Sequence, residues 1–380
     1  MATLLHLCSY MMRYLWLPYV WLYDLRLFVA DLAAIHFRDE FMHLRSERAG
    51  VQRDPSNIAR VAVVAIHPTD DTIPFTQNLL AALTANNFYV LVVYNNPMSA
   101  AQQAAILPYC HYLIERFSVG RDFGAYKRGL IWLTENGKLS NASIVVLAND
   151  SMFYPSSLSE TVSEMLSLSE DWVTLFENFQ FHHHAQSFFL LFRRPVFQSP
   201  CWRRFWDRYR PYSSRLHCIE KGEKGLSSAL LKGGFFPHAI YNAVRVTTTL
   251  RSLIDAENVR SGGITELLLR LHGDSRTPPQ RHNRNRLIED AILNLGSVMH
   301  HLNPTHAAGI IINVSLIAPL KRDLCYRGTY DLTQVVSSIR GFTEKELQAM
   351  ISDLRRKGFP AAMVGTKKAL RAFGRIFGRI

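Results

Sequence analysis

Ser143-Ile144-Val145-Val146-Leu147-Ala148-Asn149-Asp150-Ser151 is an apolar run that stops abruptly at an amide, a carboxylate and a hydroxyl. The run shows no polar alternation, so it predicts a parallel strand covered on both faces rather than a half-exposed one. Open parallel sheets bind ligands beyond the carboxyl ends of their strands, where Asp150 would sit, a position suited to holding a metal ion and a diphosphate. A lone Asp after a strand also commonly caps the next turn, and that reading stays open. The preceding helix is opened by Gly120-Arg121-Asp122-Phe123-Gly124-Ala125-Tyr126.

Outward from this stretch, strand and helix patterns alternate. Residues 60–67 read as a first strand, 73–86 as a helix with Pro74 in its first turn, and 89–94 as a second strand. A further helix–strand step spans 99–117, and the Asp122 helix closes near Asn136-Gly137. Such alternation predicts an α/β fold with a mostly parallel central sheet and right-handed crossovers. After Asp150 the pattern changes. A helix over 156–168 precedes two strands, 172–176 and 187–192, expected to pair antiparallel near the sheet edge; helices follow at 200–209 and 227–232. Residues 244–301 look less regular and include a basic loop near 274–286.

The composition is that of a globular protein: 380 residues, 48% hydrophobic and 19% charged, enough for two modest domains or one large domain with appendages. Five scattered cysteines, Cys8, Cys110, Cys201, Cys218 and Cys325, suggest a reducing compartment and no disulfide framework. A formal charge of +12 calls for an acidic partner: nucleic acid, anionic lipid or a phosphorylated substrate. No nucleic-acid-binding module is recognisable, so nucleic acid is not expected.

The basic residues favour a membrane surface. Residues 367–380 carry five Lys or Arg and no acid, with Leu370, Phe373, Ile376, Phe377 and Ile380 at helical spacing, the pattern of an interfacial amphipathic helix. A terminal helix docked on the protein is the competing reading. Residues 1–37 are rich in Leu, Tyr, Trp and Met, but Arg13, Pro18, Asp24, Arg26 and Asp31 interrupt them, so neither a spanning helix nor a signal peptide is expected. The expected organisation is a helical amphipathic segment over 1–58, a catalytic domain over 59–325 and a helical C-terminal region over 326–380. The location expected is cytoplasmic, peripheral on the inner face of the cell membrane.

The segment Gly120 to Ala125 resembles a motif of the rhamnan synthesis F family of nucleotide-sugar-dependent glycosyltransferases. The similarity continues through Asn149-Asp150-Ser151, His184-Ala185-Gln186-Ser187-Phe188-Phe189-Leu190, Pro195 to Trp206, and Glu223-Lys224-Gly225-Leu226-Ser227. Asn303-Pro304-Thr305-His306 and Pro319-Leu320-Lys321-Arg322-Asp323 are similar to its closing motifs, so the resemblance covers roughly residues 60–324. It implies a GT-A-like α/β fold with helical appendages. It also implies transfer of a deoxysugar, typically rhamnose from dTDP-rhamnose, to a polysaccharide or lipid-linked glycan acceptor, with inversion. That fold usually shows an Asp-x-Asp pair at the strand end, whereas Asn149-Asp150-Ser151 has one carboxylate. Dependence on Mg²⁺ or Mn²⁺ is therefore open, because Arg or Lys could neutralise the diphosphate instead.

Each candidate carries a physical rationale. Asp150 is the metal and diphosphate anchor, helped by Asn149 and Ser151. Gly120 and Gly124 would let the backbone approach a nucleotide, with Arg121 and Asp122 contacting it; the plainer alternative makes Asp122 an N-cap and Gly124 a packing position. Glu223 stands where an acceptor-side general base would act, with Glu220 as its rival and a helix-dipole role as the alternative. His182-His183-His184 cannot converge on one ion from a strand; His184, Gln186 and Ser187 are expected to line a pocket. His306 and Lys321 are expected at the diphosphate. Trp202, Phe205, Trp206 and Tyr209 could stack on sugar, although such helices are more often core. A non-catalytic nucleotide- or glycan-binding scaffold of the same fold is the alternative function.

Overall fold

The protein is represented by a computed structural model that describes residues 22, 25–26, 28–33, 44–54, 58–180, 182–257, 268, 281–324 and 332–356. The expected tail helix and most of the N-terminal segment lie outside the described residues.

Strands β1 (Leu44–Ala49) and β2 (Arg60–Ile66) open the central sheet. Helix α1 (Ile73–Ala85), β3 (Tyr89–Tyr94), α2 (Ala100–Ile106), β4 (Tyr112–Arg116), α3 (Arg121–Glu135) and β5 (Ile144–Asn149) follow in strict alternation. Next come β6 (Met152–Phe153), α4 (Leu158–Ser167), β7 (Trp172–Thr174), the small hairpin strands β8 (Glu177–Asn178) and β9 (His184–Ala185), and β10 (Phe189–Arg193). Then come α5 (Pro200–Arg208), α6 (Lys224–Lys232), β11 (Pro237–Ala239), α7 (Ala243–Glu257) and α8 (Arg281–His301). The last elements used below are α9 (Gly309–Leu316), β12 (Leu320–Lys321) and α10 (Glu344–Arg356).

The sheet has eight strands in the order β1-β4-β3-β2-β5-β10-β7-β11. Six run in one direction, while β1 and β10 oppose their neighbours. The mostly parallel α/β architecture is the one expected. The period-two rule is obeyed strand by strand. Ala62, Val64 and Ile66 of β2, with Val146 and Ala148 of β5, belong to the core under α1, α4 and α10. Val61, Val63 and Ala65, with Val145 and Leu147, face the opposite core under α3, α5 and α6. Burying each such Val, Leu or Ile contributes about 1.5–3 kcal/mol.

The chain steps from β2 to β3 to β4, then returns past β2 to place β5 on its other side. Between β2 and β5 the winding direction reverses, which leaves a crevice at their carboxyl ends. Residues 66–67 and 149–151 border it.

Two expectations are corrected and one is met. Leu44–Ala49, taken as part of a helical segment, is an exposed edge strand antiparallel to β4. Its sequence, Leu-Arg-Ser-Glu-Arg-Ala, has no apolar alternation because that edge needs little burial. The strands over 172–174 and 189–193 do pair antiparallel beside the edge strand β11, as expected, and β10 is also antiparallel to β5. The irregular region forms two long helices, α7 and α8, with α8 starting inside the expected basic loop. Val246, Leu250 and Ile254 bury one face of α7 at four-residue spacing, although Thr247, Thr248 and Thr249 are weak helix formers.

The described part of the C-terminal region packs on the core. Glu346 of α10 accepts a hydrogen bond from Asn78 of α1 at 2.5 Å, and Arg356 reaches Asp71 at 3.2 Å and Thr69 at 3.1 Å.

Candidate functional site

Asp150 leaves β5 at the crevice with only 6% of its surface exposed. Its Oδ2 accepts from the backbone N–H of His67, at the end of β2, at 2.8 Å. The two strand ends that frame the switch point are thus joined by the side chain itself. Arg322 closes a second side: its Nη1 donates to the Asp150 carbonyl at 3.0 Å and lies 3.9 Å from Oδ2.

Asn149 organises the neighbouring residues. Its Nδ2 donates to Asp122 Oδ2 at 3.1 Å, while its Oδ1 accepts from Ser151 N–H at 3.1 Å and Ser151 Oγ at 2.5 Å. Asp122 sits in the first turn of α3, whose N-cap is Gly120, so it is not the cap; its other oxygen lies 3.8 Å from His67 Nδ1. Lys321 of β12 donates to Ser151 Oγ at 3.1 Å. It arrives there because β12 pairs antiparallel with β6, setting Lys321 opposite Met152. Two cations and two carboxylates therefore meet at one crevice.

Glu223 belongs to the same edge of the sheet. It ends a π-helical turn over Cys218–Glu223 that runs into α6, a form often found at functional sites. Its Oε2 accepts from Ser187 N–H at 2.8 Å and Ser187 Oγ at 2.6 Å, and its Oε1 lies 3.3 Å from His184 Nε2. Burial raises the carboxyl pKa, but His184 and the two Ser187 donors outweigh it and hold the pKa below the ordinary carboxylate value. The adjacent Phe188 carbonyl accepts from Asn149 N–H at 3.1 Å. The Tyr154 hydroxyl lies 3.0 Å from the Asn149 carbonyl and 2.9 Å from that of Phe188. A short run of backbone thus connects Asp150 to Glu223.

The remaining candidates divide. Gln186 donates to Asn303 at 3.1 Å, behind the Glu223 cluster. His306 bonds Asp323 at 2.9 Å, and Asp323 also pairs with Arg215, so His306 is held beside Asp323 rather than against Ser151. At Gly120, with φ +79°, an added Cβ would lie 2.3 Å from Pro211; at Gly124 it would meet the Val119 carbonyl and the Arg116 guanidinium. Protein, not open space, faces both glycines. Arg121 also has positive φ, +50°, and its carbonyl lies 3.5 Å from Arg116 Nη1. Glu220 pairs with Lys224 at 2.6 Å on the surface. Trp202, Trp206 and Tyr209 are buried against Phe123 and Phe192 and serve as core. His183 turns to Glu177 while His184 turns to Glu223, the divergence that strand geometry requires.

Sequence reasoning missed His67, Asn95 and Arg322. His67 Nε2 lies 2.8 Å from Asn95 Nδ2, and Asn95 Oδ1 accepts from buried Arg116 at 3.1 Å. His67 and Asn95 each stand at a strand's carboxyl end, which is the signal that could have found them. Arg322 lies within the quoted Pro319–Asp323 motif.

The described residues contain no group of three or more His, Cys, Asp or Glu placed to hold a metal ion. Asp150, with Asp122 linked through Asn149, is a sparse donor set. It matches the habit of Mg²⁺, which takes one or two carboxylates and completes its shell with phosphate oxygens and water.

Fold and site together define an α/β protein with a charged crevice at the carboxyl edge of a mostly parallel sheet. Residues 90–257 match the family model described as Rhamnan synthesis protein F. The resemblance carried by the quoted motifs therefore holds across that segment. The curated "Uncharacterized protein y4gN" of Sinorhizobium fredii strain NGR234 is 25% identical over 186 residues, 48% of this chain and 48% of that protein. The chain thus spans about half the length of that curated relative. Among solved structures, a nucleotide-diphospho-sugar transferase of Desulfovibrio desulfuricans G20 aligns at 12% identity and TM-score 0.31, over 62% of this chain and 97% of its own. Mannosyltransferase PcManGT of Pyrobaculum calidifontis, solved with GDP-Man and Mn²⁺, aligns at 12% identity and TM-score 0.31, over 93% and 91%. A glycosyltransferase involved in glycosylating the major capsid of PBCV-1 aligns at 10% identity and TM-score 0.29, over 48% and 84%.

Proposed function

We propose that this protein is a nucleotide-sugar-dependent glycosyltransferase. It moves a deoxysugar such as rhamnose, with inversion, from a nucleoside-diphosphate donor such as dTDP-rhamnose to a polysaccharide or lipid-linked glycan. The observation that carries the reading is the shared carboxyl edge: Asp150, Lys321 and Arg322 at the β2–β5 crevice, and Glu223 one strand further along, tied to Ser187.

In this reading the donor diphosphate lies in the crevice, where Lys321 and Arg322 offset its charge. Asp150 and Asp122 would hold a divalent cation, which when bound supplies further charge neutralisation to the leaving group. The acceptor hydroxyl attacks the anomeric carbon as the bond to the diphosphate oxygen breaks, and its proton passes to Glu223. An ionised carboxylate offers about four lone-pair sites, and Ser187 and His184 occupy three, so one remains for the acceptor. Gln186 steadies the Glu223 side through Asn303, while Gly120 and Arg121 shape the start of α3. His306 acts through Asp323, next to the Lys321–Arg322 pair.

The protein works at the inner face of the cell membrane in envelope polysaccharide or lipopolysaccharide synthesis, a reading supported by its +12 charge. Among the described residues no helix is long and apolar enough to cross a membrane.

A panel of nucleotide sugars, assayed for donor hydrolysis and transfer with and without EDTA, tests the reading. Turnover of at least one donor is expected, and EDTA reports the metal requirement. The lowered pKa of Glu223 makes it a weaker base and favours the non-catalytic scaffold as second reading. Nucleotide binding with no turnover of any donor would select the scaffold.

A further inference from the structure

The carboxyl edge of the sheet continues beyond Glu223. Asp150 follows β5, Ser187 and Phe188 lead into β10, Glu177 and Phe179 follow β7, and Tyr241 to Val244 follow β11. These strands are neighbours in that order, so one line runs from the crevice past Ser187 and Glu223 to the far end of the sheet. Three strand spacings separate β5 from β11, about 14 Å.

At that far end lies a cavity of about 410 Å³ lined by Glu177, Phe179, His238, Asn242, Val244 and His300, among others. It is joined to the Glu223 cluster at two places. Glu177 pairs with Ala185 in the β8–β9 hairpin, next to the His184 that faces Glu223. On the other wall Pro304 follows Asn303, whose Oδ1 accepts from Gln186.

The lining chemistry is specific. The Phe179 ring is clamped by His183, stacked at 4.5 Å and 6°, and lies 5.5 Å from the His300 ring. Glu177 is fixed by His183 at 2.8 Å. The lining holds a carboxylate, two imidazoles and an amide beside aromatic and aliphatic surface, and no Lys or Arg among the described residues. A phosphate or nucleotide would find no Lys or Arg there, whereas an uncharged sugar presents an apolar ring face to the aromatic wall and hydroxyls to the polar groups.

We propose that this cavity binds the glycan acceptor, seating the sugar residues beyond the one whose hydroxyl reaches Glu223. The assignment rests on the glycosyltransferase reading and names that site's acceptor class, a neutral oligosaccharide.

The test separates the two ideas. Full-length protein without donor is applied to an array of bacterial surface oligosaccharides and, separately, titrated with dTDP, UDP and GDP. Phe179→Ala and Val244→Trp are compared with wild type; Val244 is 73% exposed, so the larger ring fills the cavity mouth without entering the core. The proposal expects oligosaccharide binding weakened at least tenfold in both variants with nucleotide affinity unchanged. It is overturned by absence of glycan binding in wild type, or by equal binding in Val244→Trp. Failure of all three nucleotides to bind, with glycan binding intact and lost in the variants, would sink the donor reading and leave the cavity as a glycan site without an acceptor role.

Discussion

Glu223 shows how one side chain's neighbours set its chemistry. Its oxygens face three donors, which hold its pKa below the ordinary value; as the proposed general base it would accept a proton at reduced driving force. Replacing it with Gln is expected to lower kcat by about 10²–10⁴-fold, the usual worth of a positioned general base, with donor affinity preserved. Near-normal turnover of the purified variant would remove it from the mechanism. The same carboxylate contributes to stability with a definite sign. A folded pKa below the unfolded value stabilises the protein above the ordinary carboxylate pKa of 4.5, and that contribution is lost as pH falls through the folded value. The Tm gap between wild type and Glu223→Gln should therefore be widest near neutrality and close in acid; a gap that widens in acid contradicts the assignment. Asp150→Ala removes the side chain that joins the ends of β2 and β5 and is expected to abolish transfer, read in the same assay.

Short elements deliver long-range chemistry here. The two-residue strand β12 exists because β6 pairs with it, and that pairing carries Lys321 to Ser151 and Arg322 to Asp150. Lys321→Ala should weaken nucleoside-diphosphate binding about tenfold, the effect of losing one charge-assisted hydrogen bond of about 1.4 kcal/mol, while Tm stays near wild type. An unchanged dissociation constant in a titration would exclude Lys321 from the site. Helix α3 is held to the sheet more tightly than its sequence suggests: a Cβ on Gly129 would meet Val63 Cγ1 at 2.4 Å. Val63 is β-branched and buried in β2, so it cannot swing away. Gly129→Ala should lower Tm, the overpacking cost of about 1–3 kcal/mol exceeding the helix-propensity gain of about 1 kcal/mol. The legibility of these elements followed their burial. The largely apolar β2, β3 and β5 are covered on both faces and could be read to within a residue or two. Polar β1 and the two-residue strands could not, because tertiary pairing alone defines them. The site divided in the same way. Asp122, Asn149 and Asp150 stood out at a strand end and a helix start. His67, at a strand's carboxyl end, and Arg322, within a quoted motif, were tied to Asp150 only once the crossover and the β6–β12 pairing placed them beside it.

At the scale of the whole molecule, the excess of twelve positive charges is unevenly placed, and residues 367–380 hold five cations without a compensating acid. Described residues end at Arg356, where α10 is fastened to the core through Asp71 and Thr69. A tail that serves a lipid surface rather than the core predicts an unaltered Tm when 357–380 are removed. Its interaction with lipid should change. Each Lys or Arg near an anionic surface is worth about 1 kcal/mol, and Phe373, Ile376, Phe377 and Ile380 add apolar side chains at helical sequence spacing. Co-sedimentation with vesicles containing phosphatidylserine or phosphatidylglycerol should be strong for the full chain, fall as salt shortens the Debye length, and drop sharply on truncation. Binding that survives truncation would move the membrane contact elsewhere on the protein. Full-length protein that ignores anionic vesicles would instead favour a tail docked on its own surface. A tail-held enzyme would meet a lipid-linked acceptor by diffusion in two dimensions, so truncation should reduce transfer to a lipid-linked glycan far more than donor hydrolysis. That difference would tie the basic excess to the transfer proposed for the sheet's carboxyl edge.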